Sequence, residues 1–230
     1  MEVPGFPGPS GWRAGFTTRR AGGEMRGVLE LLGWSDHPVF RLEQRHETEI
    51  VPVLPGETAE RRRIGDGLTS ERRGVVLAVA SADCVPIVLF DPLCPAATVL
   101  HAGWRGTRSH IAHSGVDTMR RLYGSSAASL RAMIGPAIGS CCYRVGREVI
   151  EQFREAGHRV DRLLRPDGEG GFLNLSEANR SDLAEAGVNP ENIRSAELCT
   201  RCLAGLFPSY RRDGERTGRI LTFVASSPEA

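Results

Sequence analysis

The sequence contains no lysine: all 29 of its basic residues are arginine. A protein without lysine cannot form a Schiff base through a side-chain amine, use lysine as a general base or build the lysine-bearing phosphate loop of the Walker type. Recognition of a phosphate or carboxylate group must therefore come from arginine side chains or from backbone amides.

Long apolar runs and a strong net charge are also missing. The most apolar stretch, residues 75–90, has Asp83 in its middle and is too short to cross a bilayer. Residues 1–11 are rich in proline and glycine and lack the basic start and apolar run of a signal peptide. The formal net charge of +1 creates no global field that attracts nucleic acid. We expect a cytoplasmic protein that binds neither membranes nor nucleic acid.

Cysteines are few and irregularly spaced. The six cysteines lie partly in apolar segments, which argues against a disulfide framework and for reduced thiols. Cys199 and Cys202 form a C-x-x-C motif with no second pair close to it in the sequence. A redox or zinc-knuckle role would require a thioredoxin-like context or a second pair, and neither is evident, so we expect a packing role in preference to these two.

The pattern of apolar segments predicts one domain over residues 1–230, with an α+β fold. The 40% hydrophobic and 25% charged residues are typical of a globular protein. Strands and helices do not alternate regularly, which favours a layered fold with mixed sheets over a doubly wound one. Residues 55–66 and 166–171 are predicted to be mobile loops. The predicted strands are 75–80, 85–90, 97–100, 130–134, 195–198 and 219–224, and the predicted helices are 107–123, 147–156 and 175–186.

Reactive side chains stand at the ends of apolar segments. His46 precedes one such segment, Cys84 lies between two predicted strands, and His101 follows a third. Two imidazoles and one thiolate suit a catalytic zinc ion that keeps a fourth position open. The long separations along the chain fit no zinc finger. The residues alone therefore leave two interpretations open: a shared zinc site, or a buried cysteine with two hydrogen-bonded histidines.

Two residues beside these candidate ligands carry further chemistry. Asp83 ends an apolar strand, where an unpaired carboxylate is costly, so we expect it to orient a ligating imidazole, accept a proton or cap a loop. Arg105 lies in the segment His-Ala-Gly-Trp-Arg-Gly, in which two glycines allow backbone amides to approach a ligand. We expect Arg105 to bind an anion.

The other histidines are expected to lie elsewhere. His110 and His113 are three residues apart on a predicted helix; they are rival ligands to His101 or, more commonly for such a pair, a solvent-facing helix edge. His37 and His158 are expected on the surface.

A series of short motifs occurs in order from near residue 15 to near residue 225. They are Gly15-Phe-Thr-Thr-Arg19, Gln44-Arg-His46, Gly65-Asp-Gly-Leu-Thr69, Ala82-Asp-Cys84-Val-Pro86, His101-Ala-Gly-Trp-Arg-Gly-Thr107, Ile134-Gly-Pro-Ala-Ile-Gly-Ser-Cys-Cys-Tyr143, Asn174-Leu-Ser-Glu-Ala-Asn-Arg180, Cys199-Thr200, Ser209-Tyr-Arg-Arg-Asp-Gly214 and Thr217-Gly-Arg219. Each motif is weak alone. Together they resemble the multicopper polyphenol oxidase or laccase-domain family over nearly the whole chain.

The resemblance implies an α/β/β/α sandwich with one zinc site, at the positions of His46, Cys84 and His101. It also implies a purine nucleoside enzyme that cleaves adenosine, inosine and methylthioadenosine with phosphate and deaminates adenosine to inosine. Its partners would then be small-molecule purine nucleosides and phosphate. The family usually has glycine after the first ligand, where this chain has Glu47. The same resemblance places the turn before Cys141 and Cys142 in the pocket wall, with a nucleophile as the minor alternative.

On this hypothesis the catalytic residues are Asp83, Cys84 and Arg105, and the substrate-binding residues are Arg19 and Arg105. A zinc ion lowers the pKa of a bound water to about 7, as deamination at neutral pH requires. The two arginines would hold phosphate, and Asp83 would act as general acid and base.

Three other functions compete with this one. A copper-dependent phenol oxidase is disfavoured, since six histidines are too few for multicopper chemistry and the copper site of electron-transfer proteins adds an axial methionine. A cysteine-type hydrolase would use Cys84 with His101, on a substrate such as a cell-wall peptide precursor that it edits. A non-catalytic metal-binding partner of a cell-wall or division protein is the third. Because no basic residue adjoins Cys84 in the sequence, we expect its metal-free thiol to be unactivated.

Overall fold

Two β-sheets lie face to face in the computed structural model, which describes residues 12–21, 24–61 and 63–226. The strands of both sheets are mostly antiparallel, and three pairs are parallel, so the sheets are mixed. In spatial order, the four-stranded sheet contains β1 (Trp12–Phe16), β13 (Ile220–Ser226), β5 (Val76–Ser81) and β2 (Val39–Phe40). The six-stranded sheet contains β12 (Ile193–Ser195), β8 (Arg131–Ile134), β6 (Val85–Phe90), β7 (Ala97–Ala102), β4 (Gly67–Ser70) and β3 (Ile50–Pro52).

Alternating side chains along the strands build a core on both faces of each sheet. Along β5, Leu77 and Val79 point into the layer between the sheets, whereas Val76 and Ala78 point to the outer face. Val88 of β6 belongs to the same inner layer. This period of two is what a strand produces, and because both faces are apolar, both must be covered.

Helices cover the two outer faces and complete an α/β/β/α sandwich. The four-stranded sheet packs against α1 (Arg26–Leu32), and the six-stranded sheet packs against the longer helices of the second half of the chain. The helices that follow α1 are α2 (Trp104–Arg108), α3 (Ile111–Tyr123), α4 (Arg147–Glu155), α5 (Val160–Leu163), α6 (Leu175–Glu185) and α7 (Tyr210–Asp213). The predicted α+β class and layered architecture are confirmed. None of the helices formed by the described residues has the length and apolarity needed to span a bilayer.

The predicted helix over residues 107–123 is wrong in its continuity. The chain breaks between α2 and α3 at His110, whose φ of 56° lies in the left-handed region. The His110 ring bonds to the carboxylate of Asp182 at 3.1 Å and to the carbonyl oxygen of Ala156 at 2.9 Å. These tertiary contacts override local helix propensity, which is a weak preference for any single residue.

Two other predictions need correction. The predicted loop 166–171 is the tip of a hairpin between β10 (Leu164–Asp167) and β11 (Gly170–Leu173), which forms a small sheet with β9 (Arg144–Val145). The predicted strand 195–198 is instead β12, which ends before Glu197, a residue with a φ of 52°.

The remaining predicted strands and helices are confirmed to within two residues at either end. At its described positions the predicted loop 55–66 contains no helix or strand, and Arg62 lies outside the described residues.

Candidate metal centre

His46, Cys84 and His101 meet at one end of the central strands of the six-stranded sheet. One ligand atom from each of the three lies within 4.8 Å of the other two. Cys84 immediately precedes β6 and His101 lies in β7, and the antiparallel register pairs Pro86 with His101. The sheet therefore brings these two side chains together whatever their separation along the chain. The rings of His46 and His101 are 4.8 Å apart and nearly perpendicular.

Asp66 holds both histidines in place. Its buried carboxylate accepts hydrogen bonds from the backbone N–H groups of Arg45, His46 and Glu47 at 3.0, 3.0 and 2.8 Å. It also accepts a bond from Nδ1 of His101 at 2.9 Å. Burial alone would raise the pKa of Asp66, but these bonds outweigh it and lower the pKa. Sequence reasoning missed this residue, although it lies in the Gly-Asp-Gly motif.

Gly103 leaves room for the three side chains to converge. A Cβ atom at this position would lie 2.9 Å from Cδ2 of His46 and 3.2 Å from Sγ of Cys84. Any larger residue would therefore push two of the candidate ligands away from each other. The glycine of the His-Ala-Gly motif therefore gives space to the candidate ligands, a role additional to the expected approach of its backbone amide to a ligand.

The centre activates its own thiol through the neighbouring imidazoles. Burial alone would raise the pKa of Cys84, but hydrogen bonds and charge from His101 and His46 lower it to about 6. Burial would lower the pKa of His101, but Asp66 and Cys84 raise it to about 9. The expectation of an unactivated metal-free thiol took account only of residues adjacent in sequence, whereas the two imidazoles come from distant segments, His101 from β7 and His46 from a loop.

The donor set fits a zinc ion. Two imidazoles and one thiolate are ligands that zinc accepts, and the exposed His46 leaves one side of the cluster open. The bond from His101 to Asp66 matches the carboxylate–histidine pairing that usually stands behind a ligating imidazole. A copper site with an axial methionine fits less well. In the described part of the chain the methionines pack in the hydrophobic core: Met25, Met119 and Met133.

Asp83 lies next to the centre but turns its carboxylate to another segment. Its oxygens accept hydrogen bonds from the hydroxyl groups of Thr200 at 2.6 Å and Ser209 at 3.1 Å, and from the backbone N–H of Arg211 at 2.7 Å. Its φ of 89° is unusual for a residue other than glycine. The carboxylate that orients a candidate ligand is Asp66, whereas Asp83 fixes the 200–211 segment beside Cys84.

The guanidinium groups of the two candidate phosphate-binding arginines differ in their contacts within the protein. The Arg19 guanidinium donates to the carbonyl oxygens of Ala204 and Phe207 and forms a 2.8 Å ion pair with Asp213. Arg105 is exposed, and its guanidinium lies 4.4 Å from the centroid of the Trp104 ring. Among the described residues no ion pair is found for Arg105.

Tyr143 was missed as a site residue, although a family motif ends on it. Burial raises the pKa of its hydroxyl to about 12, and the charges of Cys84 and Asp83 act in the same direction. Arg211 and Arg105 oppose this shift. The Arg211 guanidinium lies 5.0 Å from the centroid of the Tyr143 ring. Tyr143 is therefore within electrostatic reach of all four groups.

The remaining histidines lie outside this centre. His110 groups with His158 and Asp182, and its ring stacks on that of His158 at 4.3 Å, so His110 is not a rival ligand to His101. The prediction of a surface position for His158 is wrong, because the residue is buried. His113 is exposed and pairs with Asp117, and His37 is half-buried and stacks on Trp34.

A layered sandwich that carries a His–Cys–His cluster at the ends of two central strands defines the class of protein. Residues 15–227 match the multi-copper polyphenol oxidoreductase laccase family. The chain belongs to this family.

Several relatives of known name are similar to the chain. A purine nucleoside phosphorylase, YlmD, of Geobacillus stearothermophilus is 33% identical over 98% of this chain and 94% of its own length. A human purine nucleoside phosphorylase is 31% identical over 87% of this chain, which spans only 46% of that relative. An adenosine deaminase from an unknown prokaryotic organism is 40% identical over 69% of this chain and 61% of its own length.

Solved structures resemble the fold closely. The crystal structure of YlmD from Geobacillus stearothermophilus has a TM-score of 0.88 and 32% identity, and the match covers 97% of this chain and 95% of that one. The hypothetical protein YfiH of Bacillus licheniformis also has a TM-score of 0.88, at 33% identity over 94% of this chain and 93% of that one.

Proposed function

We propose that the chain is a zinc-dependent purine nucleoside enzyme. It cleaves adenosine, inosine and methylthioadenosine with phosphate, and it deaminates adenosine. The observation that carries this proposal is the convergence of His46, Cys84 and His101 in front of the Asp66 carboxylate. The names of the relatives, purine nucleoside phosphorylases and an adenosine deaminase, support the substrate class.

The zinc ion would be held by His46, Cys84 and His101, and when bound it supplies a water of lowered pKa and a Lewis acid. Nδ1 of His101 bonds to Asp66, so Nε2 is the nitrogen that faces Cys84. Asp66 therefore fixes both the orientation and the tautomer of this ring. The backbone bonds from Asp66 to the His46 segment position the second imidazole in the same way.

Phosphorolysis requires phosphate near the sugar C1′ and a proton route to the leaving purine. Arg105 is our phosphate-binding residue, because it is exposed beside the centre and its charge reaches Tyr143. Arg19 would reach phosphate only by giving up its ion pair with Asp213, which makes it the weaker of the two candidates. For the proton route we propose Asp83, whose carboxylate is bonded to two hydroxyl groups that can relay a proton.

Product analysis with adenosine tests the proposed function. The zinc-loaded protein is expected to release inosine and ammonia without phosphate, and to release adenine and ribose 1-phosphate when phosphate is added. Dialysis against a chelator should stop both reactions, and added zinc should restore them. A protein that binds zinc at the centre and turns over none of the three nucleosides would instead support a non-catalytic metal-binding role.

Replacement of Arg105 by alanine is expected to separate the two reactions. A hydrogen bond between charged groups contributes about 1.5–3 kcal/mol, so the phosphate KM should rise roughly 10- to 100-fold. Deamination needs no phosphate and should change little. Arg108→Ala is the matched control, because Arg108 lies on the same short helix and bonds to Gln152. An equal loss of both reactions in Arg105→Ala would indicate a structural role for Arg105.

A cysteine-type hydrolase is the second candidate function. The observation in its favour is the pairing of the Cys84 thiol with the His101 imidazole, which is how thiolate nucleophiles are activated. The two functions differ in what Cys84 does: it is a metal ligand in the first and a nucleophile in the second.

We also propose that the chain forms one domain and works in the cytoplasm. Trp12 and Val224, from the two ends of the described region, pack in the same inner core. This packing supports a single stack of layers. All six cysteines are free thiols, as expected in a reducing compartment.

A further inference from the structure

Four cysteines from two separate segments meet beside the candidate metal centre. Sγ of Cys202 lies 3.6 Å from Sγ of Cys141 and 3.4 Å from Sγ of Cys142. With Cys199 included, all four sulfur atoms lie within 4.8 Å of one another. The C-x-x-C motif is therefore isolated in sequence but not in space, because folding places a second pair beside it.

The sulfur atoms have the spacing of a tetrahedral thiolate site. A Zn–S bond of about 2.3 Å gives neighbouring sulfur atoms a separation of about 3.8 Å at the corners of a tetrahedron. The two separations that involve Cys202 are close to this value. A disulfide requires about 2.05 Å and joins sulfur atoms in pairs, whereas Cys202 is almost equally close to two partners.

Two of the four sulfur atoms receive hydrogen bonds from donors outside the cluster. The backbone N–H of Gly139 donates to Sγ of Cys199 at 3.3 Å, and the Arg201 guanidinium donates to Sγ of Cys142 at 3.5 Å. Four thiolates around a divalent ion have a net negative charge, and such donors stabilise it. A Cβ atom at Gly139 would lie 3.2 Å from Sγ of Cys141 and 3.3 Å from Cβ of Cys199, so this glycine makes room for the cluster.

We propose that Cys141, Cys142, Cys199 and Cys202 bind one zinc ion in an all-thiolate site distinct from the His–Cys–His centre. Each thiol loses its proton to solvent as it binds, and the ion's charge and oxidation state do not change. Four protein ligands leave no open position, so the site is structural. Cys141 and Cys199 also help to line a cavity of about 460 Å³.

A zinc ion here would fasten two loops that border the proposed active site. One loop leads from Gly139 to Tyr143, whose ring lies under the Arg211 guanidinium. The other contains Thr200, whose hydroxyl bonds to Asp83. The ion would therefore hold the wall of the nucleoside site without touching substrate, and its loss should loosen that wall.

Metal analysis of purified variants tests this site independently of activity. The wild-type protein should contain one zinc ion more than Cys202→Ser, whereas Cys94→Ser should match the wild type, because Cys94 lies outside both clusters. A Cys84→Ala variant should keep one zinc ion, and its X-ray absorption spectrum should show sulfur ligands only. This spectrum needs no cluster variant, so the test does not depend on whether Cys202→Ser folds.

Two results would overturn the proposal. The first is equal zinc content in Cys202→Ser and wild type, after both are purified without chelator. The second is a Cys84→Ala protein whose four cluster cysteines hold no zinc, because they bind iron instead or are found by mass spectrometry as disulfides. A missing zinc ion at the His–Cys–His centre alone would leave the sulfur-only spectrum intact, so failure of the proposed function is distinguishable from failure of this site.

Discussion

Cys84→Ala is expected to abolish both purine nucleoside reactions and to remove one zinc ion from the protein. The change takes away the only sulfur among the three candidate ligands and leaves two imidazoles that are weaker together than the full set. Both reactions are proposed to use the same ion, so both should fall roughly 10³-fold or more. Zinc content and the release of inosine and adenine are the measurements.

Cys94→Ala provides the control for this change. Cys94 is a half-buried free thiol that packs against the core away from the centre. Its loss should leave zinc content and both rates close to those of the wild type. Full activity in Cys84→Ala would show that this thiol is neither a ligand nor a nucleophile, and would contradict both enzyme hypotheses.

Removal of zinc is expected to speed alkylation of Cys84 at pH 7. In the zinc-loaded protein the thiolate is bound to the ion and reacts slowly. In the chelated protein the pKa of about 6 leaves roughly 90% of Cys84 as thiolate at pH 7, against about 1% for a thiol with a pKa of 9.0. The chelated rate should therefore fall only below about pH 6. Mass spectrometry of the labelled peptide measures these rates.

Cys94 is an internal reference for the same experiment. Burial and the charges of Asp91 and Glu71 raise its pKa, so it should react slowly with or without chelator. The comparison also separates the two enzyme hypotheses. Rapid labelling of Cys84 in the zinc-loaded protein, with activity lost in step, would make Cys84 a nucleophile and favour the hydrolase.

Much of the fold follows from local patterns. The strand over residues 85–90 was predicted with its observed bounds, because a short apolar run between Asp83 and Asp91 is typical of a buried strand. The prediction of a continuous helix over residues 107–123 was wrong at His110. The contacts that hold this residue in a non-helical conformation come from α6 and from the end of α4. Local propensity carries no information about such partners.

The candidate site was partly accessible from the sequence. His46, Cys84 and His101 stood out at the ends of apolar segments, the family resemblance favoured the zinc site over separate hydrogen-bonded residues, and the structure brings the three together. Asp66 and Tyr143 were missed, since their importance comes from what they face after folding. The four-cysteine cluster was missed for the same reason: its two pairs lie far apart in sequence, and contacts such as the bridge between Ala137 and Cys199 bring the segments together only in the folded chain.

Asp66 has a consequence for the energetics of metal capture. One carboxylate binds three consecutive backbone N–H groups of the His46 loop and also the ring of His101. The loop is thereby wrapped around an anion when the chain folds, before any cation arrives. The entropy of ordering this loop is lost during folding and not during association with the ion. The centre is preorganised, and the affinity that its three ligands offer is not reduced by the need to arrange them.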